Sequence, residues 1–146
     1  MLDRTIREII GIQTLVRLSP HETVAEAAHA MTLHRVGALL IFDDNDALCG
    51  ILTDRDMLDR VVAPARDPAA TTVEEVMTRD PVTIPATATG LHALRAMNHL
   101  RARHLPVIDP SGIVGIASVR DLLRAAVDDL ARDQGRVDDL WEGFPV

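Results

Sequence analysis

The sequence predicts a mixed α/β (α+β) fold made of two copies of one small unit, each a short sheet with flanking helices. Three observations predict it. The chain repeats itself: Val16, Leu18, Thr23, Ala27 and Met31 recur as Val82, Ile84, Thr89, Ala93 and Met97, a shift of 66 positions. Beyond a one-residue deletion near Asp44 the shift becomes 65, so that Gly50, Thr53 and Asp56 recur as Gly115, Ser118 and Asp121. Within each copy, apolar spacing alternates between helical and strand periods. Finally, 146 residues with 47% hydrophobic and 25% charged side chains suit one compact soluble body, which buries about 70% of its extended surface.

Taken in order, Thr5 and Glu8 form a capping box for a short helix over 5–10 with Ile6, Ile9 and Ile10 on one face, ended by Gly11. Leu15 to Leu18 reads as extended, and Ser19-Pro20 turns the chain. Thr23 and Glu26 cap a helix with Val24, Ala27, Ala28 and Met31 along one stripe, broken at Gly37. Ala38 to Phe42 is a continuous apolar run, hence a buried strand, joined through Asp43-Asp44-Asn45-Asp46 to a partner strand over Ala47 to Leu52. That acidic turn lacks the glycine and distal glutamate of a calcium loop, so it reads as a solvated turn. A helix from Thr53 ends near Ala63.

The second copy follows the same grammar. Thr72 and Glu75 cap a short helix, and Val82-Thr83-Ile84 is extended between prolines. Thr89 to Arg101 is a helix with Leu91, Leu94, Met97 and Leu100 inward, Gly90 being a weak start. Leu105 to Ile108 and Ile113 to Ala117 form a hairpin across Pro110-Ser111-Gly112, and a last helix runs from Ser118. The repeats thus span 1–63 and 71–130, with 64–70 as linker and 131–146 as an acidic tail. In that tail Val137 to Phe144, with Trp141, suits a helical turn, a loose end or a docking element.

The stretch around which each copy is organised is Gly-x-x-[Thr/Ser]-x-x-Asp, at Gly50 to Asp56 and Gly115 to Asp121. Thr53 and Ser118 are good N-caps, with Asp56 and Asp121 at the third helical position. End-capping alone accounts for these residues. The alternative is that hydroxyl, helix-start amides and carboxylate hold the phosphate and ribose of a nucleotide.

The duplicated order of motifs resembles a tandem pair of cystathionine β-synthase (CBS) domains, a Bateman module. The resemblance is carried by Val76-Met77-Thr78-Arg79-Asp80-Pro81-Val82-Thr83-Ile84, by Arg103-His104-Leu105-Pro106-Val107-Ile108-Asp109, by Val36 to Asp43, and by the two Gly-x-x-[Thr/Ser]-x-x-Asp segments. It implies two halves packed sheet to sheet with pseudo-twofold symmetry, leaving two clefts. It further implies an adenosine-type regulatory ligand (AMP, ADP, ATP or an S-adenosyl compound), no required cofactor, a homodimer made through the helices, for which the apolar helix surfaces with Met31, Met57 and Met97 could supply the face, and an unnamed effector protein.

Under that resemblance Asp121 and Asp56 would accept bonds from ribose hydroxyls, as carboxylates do in other nucleotide sites. Ser118 and Thr53 would face phosphate, with Arg120, Arg55, Arg103 and His104 to neutralise it. Thr83 lies in the segment that would read the adenine edge, and Pro106, with Ile84 and Val82, supplies apolar walls. The first copy has Arg17 in place of Thr83, Gly37-Ala38 in place of Arg103-His104, and Leu40 in place of Pro106. The second site therefore ranks above the first. An empty-cleft scaffold and a metal or redox sensor are the competing readings.

Several classes are disfavoured. Net charge is −7 and aromatics make up 2%, against general nucleic-acid binding, which wants a basic face and stacking rings. All fifteen basic residues are arginine, which suits phosphate, although an arginine-rich coding bias explains it more simply. No run of about 18 apolar residues exists, and the acidic, uneven N-terminus does not read as a signal peptide. The single cysteine, Cys49, reads as a buried strand thiol and agrees with a cytoplasmic location. None of the six histidines has a partner at zinc-finger spacing. There is no nucleophile elbow and no glycine-rich phosphate loop, so the chain reads as non-enzymatic.

Overall fold

A computed structural model describes residues 2–133; the tail reading, with Trp141, lies outside the described residues. The chain divides into two compact units. The central unit comprises Thr14–Val82, and the split unit comprises Met1–Gln13 together with the chain from Thr83 onward. The sequence repeats and the compact units therefore do not coincide. Each repeat gives its leading helix to the unit built from the other repeat.

In the central unit, β1 (Arg17–Leu18), α2 (Val24–His34) and β2 (Ala38–Phe42) form a β-α-β step with β1 parallel to β2. Thr23 caps α2 in a capping box with Glu26. β2 is buried along its whole length and pairs antiparallel with β3 (Leu48–Thr53). Asp43 closes the hairpin, its Oδ1 accepting the Asn45 and Ala47 amides at 2.9 and 3.0 Å. The helix after Thr53 begins as α3 (Asp54–Met57) and widens into a π-helical segment, Leu58–Val62. α4 (Val73–Val76), capped by Thr72 and Glu75, leads into β4 (Thr78–Arg79), which pairs with β3 and completes the order β1-β2-β3-β4. The two-residue β4 carries no apolar alternation, and no sequence signal marks it.

In the split unit, β5 (Ile84–Pro85), α5 (Gly90–Leu100), β6 (His104–Asp109), β7 (Gly112–Ser118) and α6 (Val119–Asp133) give a three-stranded sheet in the order β5-β6-β7. α1 (Ile6–Ile10) joins it from the far end of the sequence. Ile6 N–H donates to Ala88 O at 2.8 Å and Gly90 N–H to Arg4 O at 3.0 Å. Arg4 pairs with Asp129 at 3.2 Å, and Arg7 pairs with Asp109. Ile6 lies fully buried in one core with Met97, Leu105, Val107 and Leu122.

The inward face of α5 differs from the expectation. Met97 points inward as expected and Leu94 packs in part against the core, but Leu91 and Leu100 are 39% and 40% exposed, and Gly90 and Ala93 take their place inward. The N-terminal segment is the reason: it crosses α5 so closely that a Cβ on Gly90 would lie 2.7 Å from Ile9 Cδ1, which selects the small-residue face. Likewise α2 ends before Gly37, with Arg35 taking the left-handed cap at φ 54°, as Arg101 does after α5 at φ 53°. Cys49 is half-buried rather than buried, and desolvation pushes its thiol up.

Candidate functional site

In the split unit the sheet register brings the second set of candidate residues to one end. His104 opens β6 and lies opposite Ser118, the last residue of β7. Thr83 immediately precedes β5, whose Ile84 pairs with Val107. Pro106 is fully buried opposite Ile116. It sits in a central strand without losing a ladder bond, because β5 pairs only Val107 and Ile108. α6 starts at this same end, placing Arg120 exposed and Asp121 half-buried on its first turn. Arg103 is joined to the site through its carbonyl, which accepts the Val119 N–H at 3.0 Å.

Both carboxylates turn onto their own helix starts. Asp121 Oδ2 accepts the Ser118 N–H at 2.8 Å and the Ser118 hydroxyl at 2.6 Å, while Ser118 Oγ accepts the Asp121 N–H at 3.2 Å. Asp56 Oδ2 accepts the Thr53 N–H at 2.9 Å, and Thr53 Oγ1 accepts the Asp56 N–H at 3.1 Å. Capping is thus realised twice, through one oxygen of each acid. Asp121 Oδ1 takes no part in the cap.

The expectation that the helix-start amides face a phosphate needs narrowing. The first amide of each helix is already bonded, Asp54 N–H to Gly37 O and Val119 N–H to Arg103 O, both at 3.0 Å. The third amide is spent on the cap. In α3 the second amide is spent too, Arg55 N–H donating to Asp54 Oδ1 at 2.8 Å. In α6 the residue before Arg120 is Val119, which carries no acceptor, so the Arg120 N–H is the one helix-start donor without that local sink.

The central unit is further encumbered. Asp56 Oδ1 lies 3.7 Å from the Arg60 guanidinium, which also donates to Val76 O at 2.8 Å. Arg55 is drawn along its own helix to Asp59 at 2.9 Å. Arg17, standing where the other copy has Thr83, covers the Phe42 ring at 3.7 Å and pairs with Asp46. Sequence reasoning missed Arg60, although its place four residues after Asp56 is a signal for such a pair. Among the described residues no group of three or more His, Cys, Asp or Glu is placed to hold a metal ion.

The CBS-domain family model matches residues 6–63 and 73–128. The chain is 33% identical over 126 residues to the CBS domain-containing protein CBSX3, mitochondrial, of Arabidopsis thaliana, covering 84% of this chain and 61% of the relative. It thus spans less than two thirds of that curated relative's length. Among solved structures it resembles a putative signal-transduction protein with CBS domains from Burkholderia ambifaria, with TM-score 0.81, 30% identity and coverage of 86% and 96% of the two chains. It also resembles a hexameric CBS-CP12 protein from bloom-forming cyanobacteria, with TM-score 0.77, 25% identity and coverage of 96% and 90%. With its duplicated motifs, its two small sheets and these matches, the chain belongs to the CBS-domain family as a tandem CBS pair.

Proposed function

We propose that the chain is a regulatory, non-catalytic module that binds an adenosine-type ligand at the split-unit site and passes the resulting change to a partner protein. The observation that carries this reading is the gathering of Thr83, His104, Ser118, Arg120 and Asp121 at one end of the β5-β6-β7 sheet. Ribose hydroxyls would meet Asp121 Oδ1, which lies outside the cap, and phosphate would meet the Arg120 amide and side chain, with Arg103 and His104 completing the charge. The central-unit site, with Thr53, Arg55 and Asp56, ranks second because Arg60 and Asp59 already engage its charges. Regulation would follow from unequal ligand affinity for two conformations.

Self-association belongs to the same proposal. Met31 and Met97 are buried in the two cores and cannot supply the face expected of them. Leu58 and Leu123, at matching positions in the two repeats and 50% and 59% exposed, each give their own unit an apolar spot suited to a second copy. No helix among the described residues is long and apolar enough to cross a membrane, and a cytoplasmic location is part of the proposal. A thermal-shift panel of AMP, ADP, ATP, S-adenosylmethionine, NAD and zinc tests the ligand. An adenylate at 100 times its dissociation constant should add about 2.7 kcal/mol of stability. A flat response to every adenylate favours the scaffold reading.

A further inference from the structure

The two sheets finish their outer edges differently. In the central unit the edge of β3 is covered by main chain: β4 pairs Arg79 with Gly50 and Thr78 with Ile51. Ile116 of β7 matches Ile51, yet among the described residues the split-unit sheet has no fourth strand. A side chain takes its place. Gln13 Nε2 donates to Ile116 O at 3.0 Å, and Gln13 Oε1 accepts the Ile116 N–H at 2.9 Å. A primary amide carries a donor and an acceptor side by side, as a paired strand residue does.

The cause lies at the helix ends. After α4, Met77 is extended at φ −68°, ψ 159°, and the chain runs straight on into β4. After α1, Gly11 takes φ 63°, ψ −150°, a region open essentially to glycine alone. The chain therefore bends, Ile12 stands wholly in solvent, and Gln13 meets β7 with its side chain instead of its backbone. Gly115 makes room, since a Cβ there would lie 2.7 Å from Gln13 Oε1.

We propose that Gln13 is a positioning residue, a clasp through which the N-terminal segment holds the β7–α6 junction in place. Ile116 stands two residues before Ser118, so the clasp fixes the strand end from which the Ser118–Asp121 cap is built. Along the chain, residues 2–13 are joined to the rest of the split unit only through the central unit. The Gln13 end of the seam, beyond Gly11, can therefore open locally while Ile6 stays in the core. Any event that lifts the segment loosens the Asp121 site, whereas the central unit has no equivalent release, its clasp being β4 itself. The consequence for ligand rests on the reading under Proposed function; the consequence for the junction does not.

The test uses the full chain with Gln13→Glu and Gln13→Met, both close in size to glutamine. The glutamate keeps an acceptor but sets a carboxylate against Ile116 O, and the methionine offers neither bond. Amide exchange by NMR is read at Ile116, at Asp121, whose N–H is held by Ser118, and at Met97 as a marker of the unit's core. The clasp predicts faster exchange at Ile116 and Asp121 in both variants with Met97 unchanged, about tenfold in Gln13→Met, which loses both modest hydrogen bonds, and less in Gln13→Glu, which keeps an acceptor for the Ile116 N–H. ATP affinity should weaken by about the same factor. Exchange unchanged at Asp121, or Met97 accelerating equally, overturns the proposal, because Gln13 would then fill space or stabilise the unit at large. If the unaltered chain takes up no ATP, the ligand reading fails, and exchange at Asp121 still decides the clasp.

Discussion

Replacing Ile6 with alanine probes the exchange of leading helices between repeats. Ile6 is fully buried and is the only buried residue of α1. Its neighbours in the core, Met97, Leu105 and Leu122, all come from the second repeat. The substitution removes the transfer energy of three carbons and leaves a cavity, together costing about 2–5 kcal/mol. The upper half of that range is expected, because Ile6 is the one fully buried side chain of α1, while Ile9 and Ile10 pack only in part against the same core. Hydrogen exchange along a urea gradient reads the two units separately. Amides of Met97, Leu105 and Leu122 should lose about 3–4 kcal/mol of protection. Those of Leu39, Ile41 and Leu52 in the central unit should change by less than about 0.5 kcal/mol. Val73→Ala is the mirror experiment, since Val73 is fully buried in the central core and its loss should cost about 1.5–3 kcal/mol there. Equal or greater loss at Leu39 and Leu52 on replacing Ile6 would refute the assignment of α1 to the split unit.

Gly50→Ala would set a methyl 2.3 Å from Met77 Sδ, and because Met77 is buried the overpacking should cost about 1–3 kcal/mol; an unchanged urea midpoint would contradict the close approach of Met77 to β3. Hydrogen bonds from Thr5, Thr23 and Thr72 hold the carboxyls of Glu8, Glu26 and Glu75 below the ordinary range. Their contribution is therefore complete above the unfolded value of about 4.3 and is lost as pH falls through the lower folded values. Urea midpoints should drop below about pH 4, less steeply in Glu26→Gln, and parallel pH profiles would count against the capping boxes. Leu123→Glu should reduce the mass measured by light scattering if the exposed apolar surface joins two copies; an unchanged mass would place any contact elsewhere.

Much of the fold is legible because it is written locally and twice. Thr5, Thr23, Thr53, Thr72, Thr89 and Ser118 all cap the helices that their sequence positions announce. The apolar run Ala38–Phe42 is the buried strand it reads as. What stayed hidden depends on partners distant in sequence. The inward face of α5 is chosen by Leu2 and Ile9, which touch Gly90, and no spacing within 89–101 records them. β4 exists because β3 offers an edge, not because Thr78 and Arg79 carry a strand pattern. Within the candidate site, the Ser118–Asp121 and Thr53–Asp56 pairs were readable as caps. That the first amides of both helices are spent on Gly37 and Arg103 is a tertiary fact. The Gln13 bonds to Ile116 bridge 103 positions, which no local pattern can show.

Calorimetric titration of ATP and AMP into the unaltered chain, Asp121→Asn, Asp121→Ala and Asp56→Ala decides whether the Asp121 carboxylate holds the ligand. Asparagine keeps an acceptor for the Ser118 amide while removing the charge, so a loss of binding there separates ligand contact from capping. Both changes at Asp121 should abolish adenylate binding in chains that remain folded, while Asp56→Ala should bind nearly as before. Undiminished binding without the Asp121 carboxylate, or binding lost only with Asp56, would contradict that role.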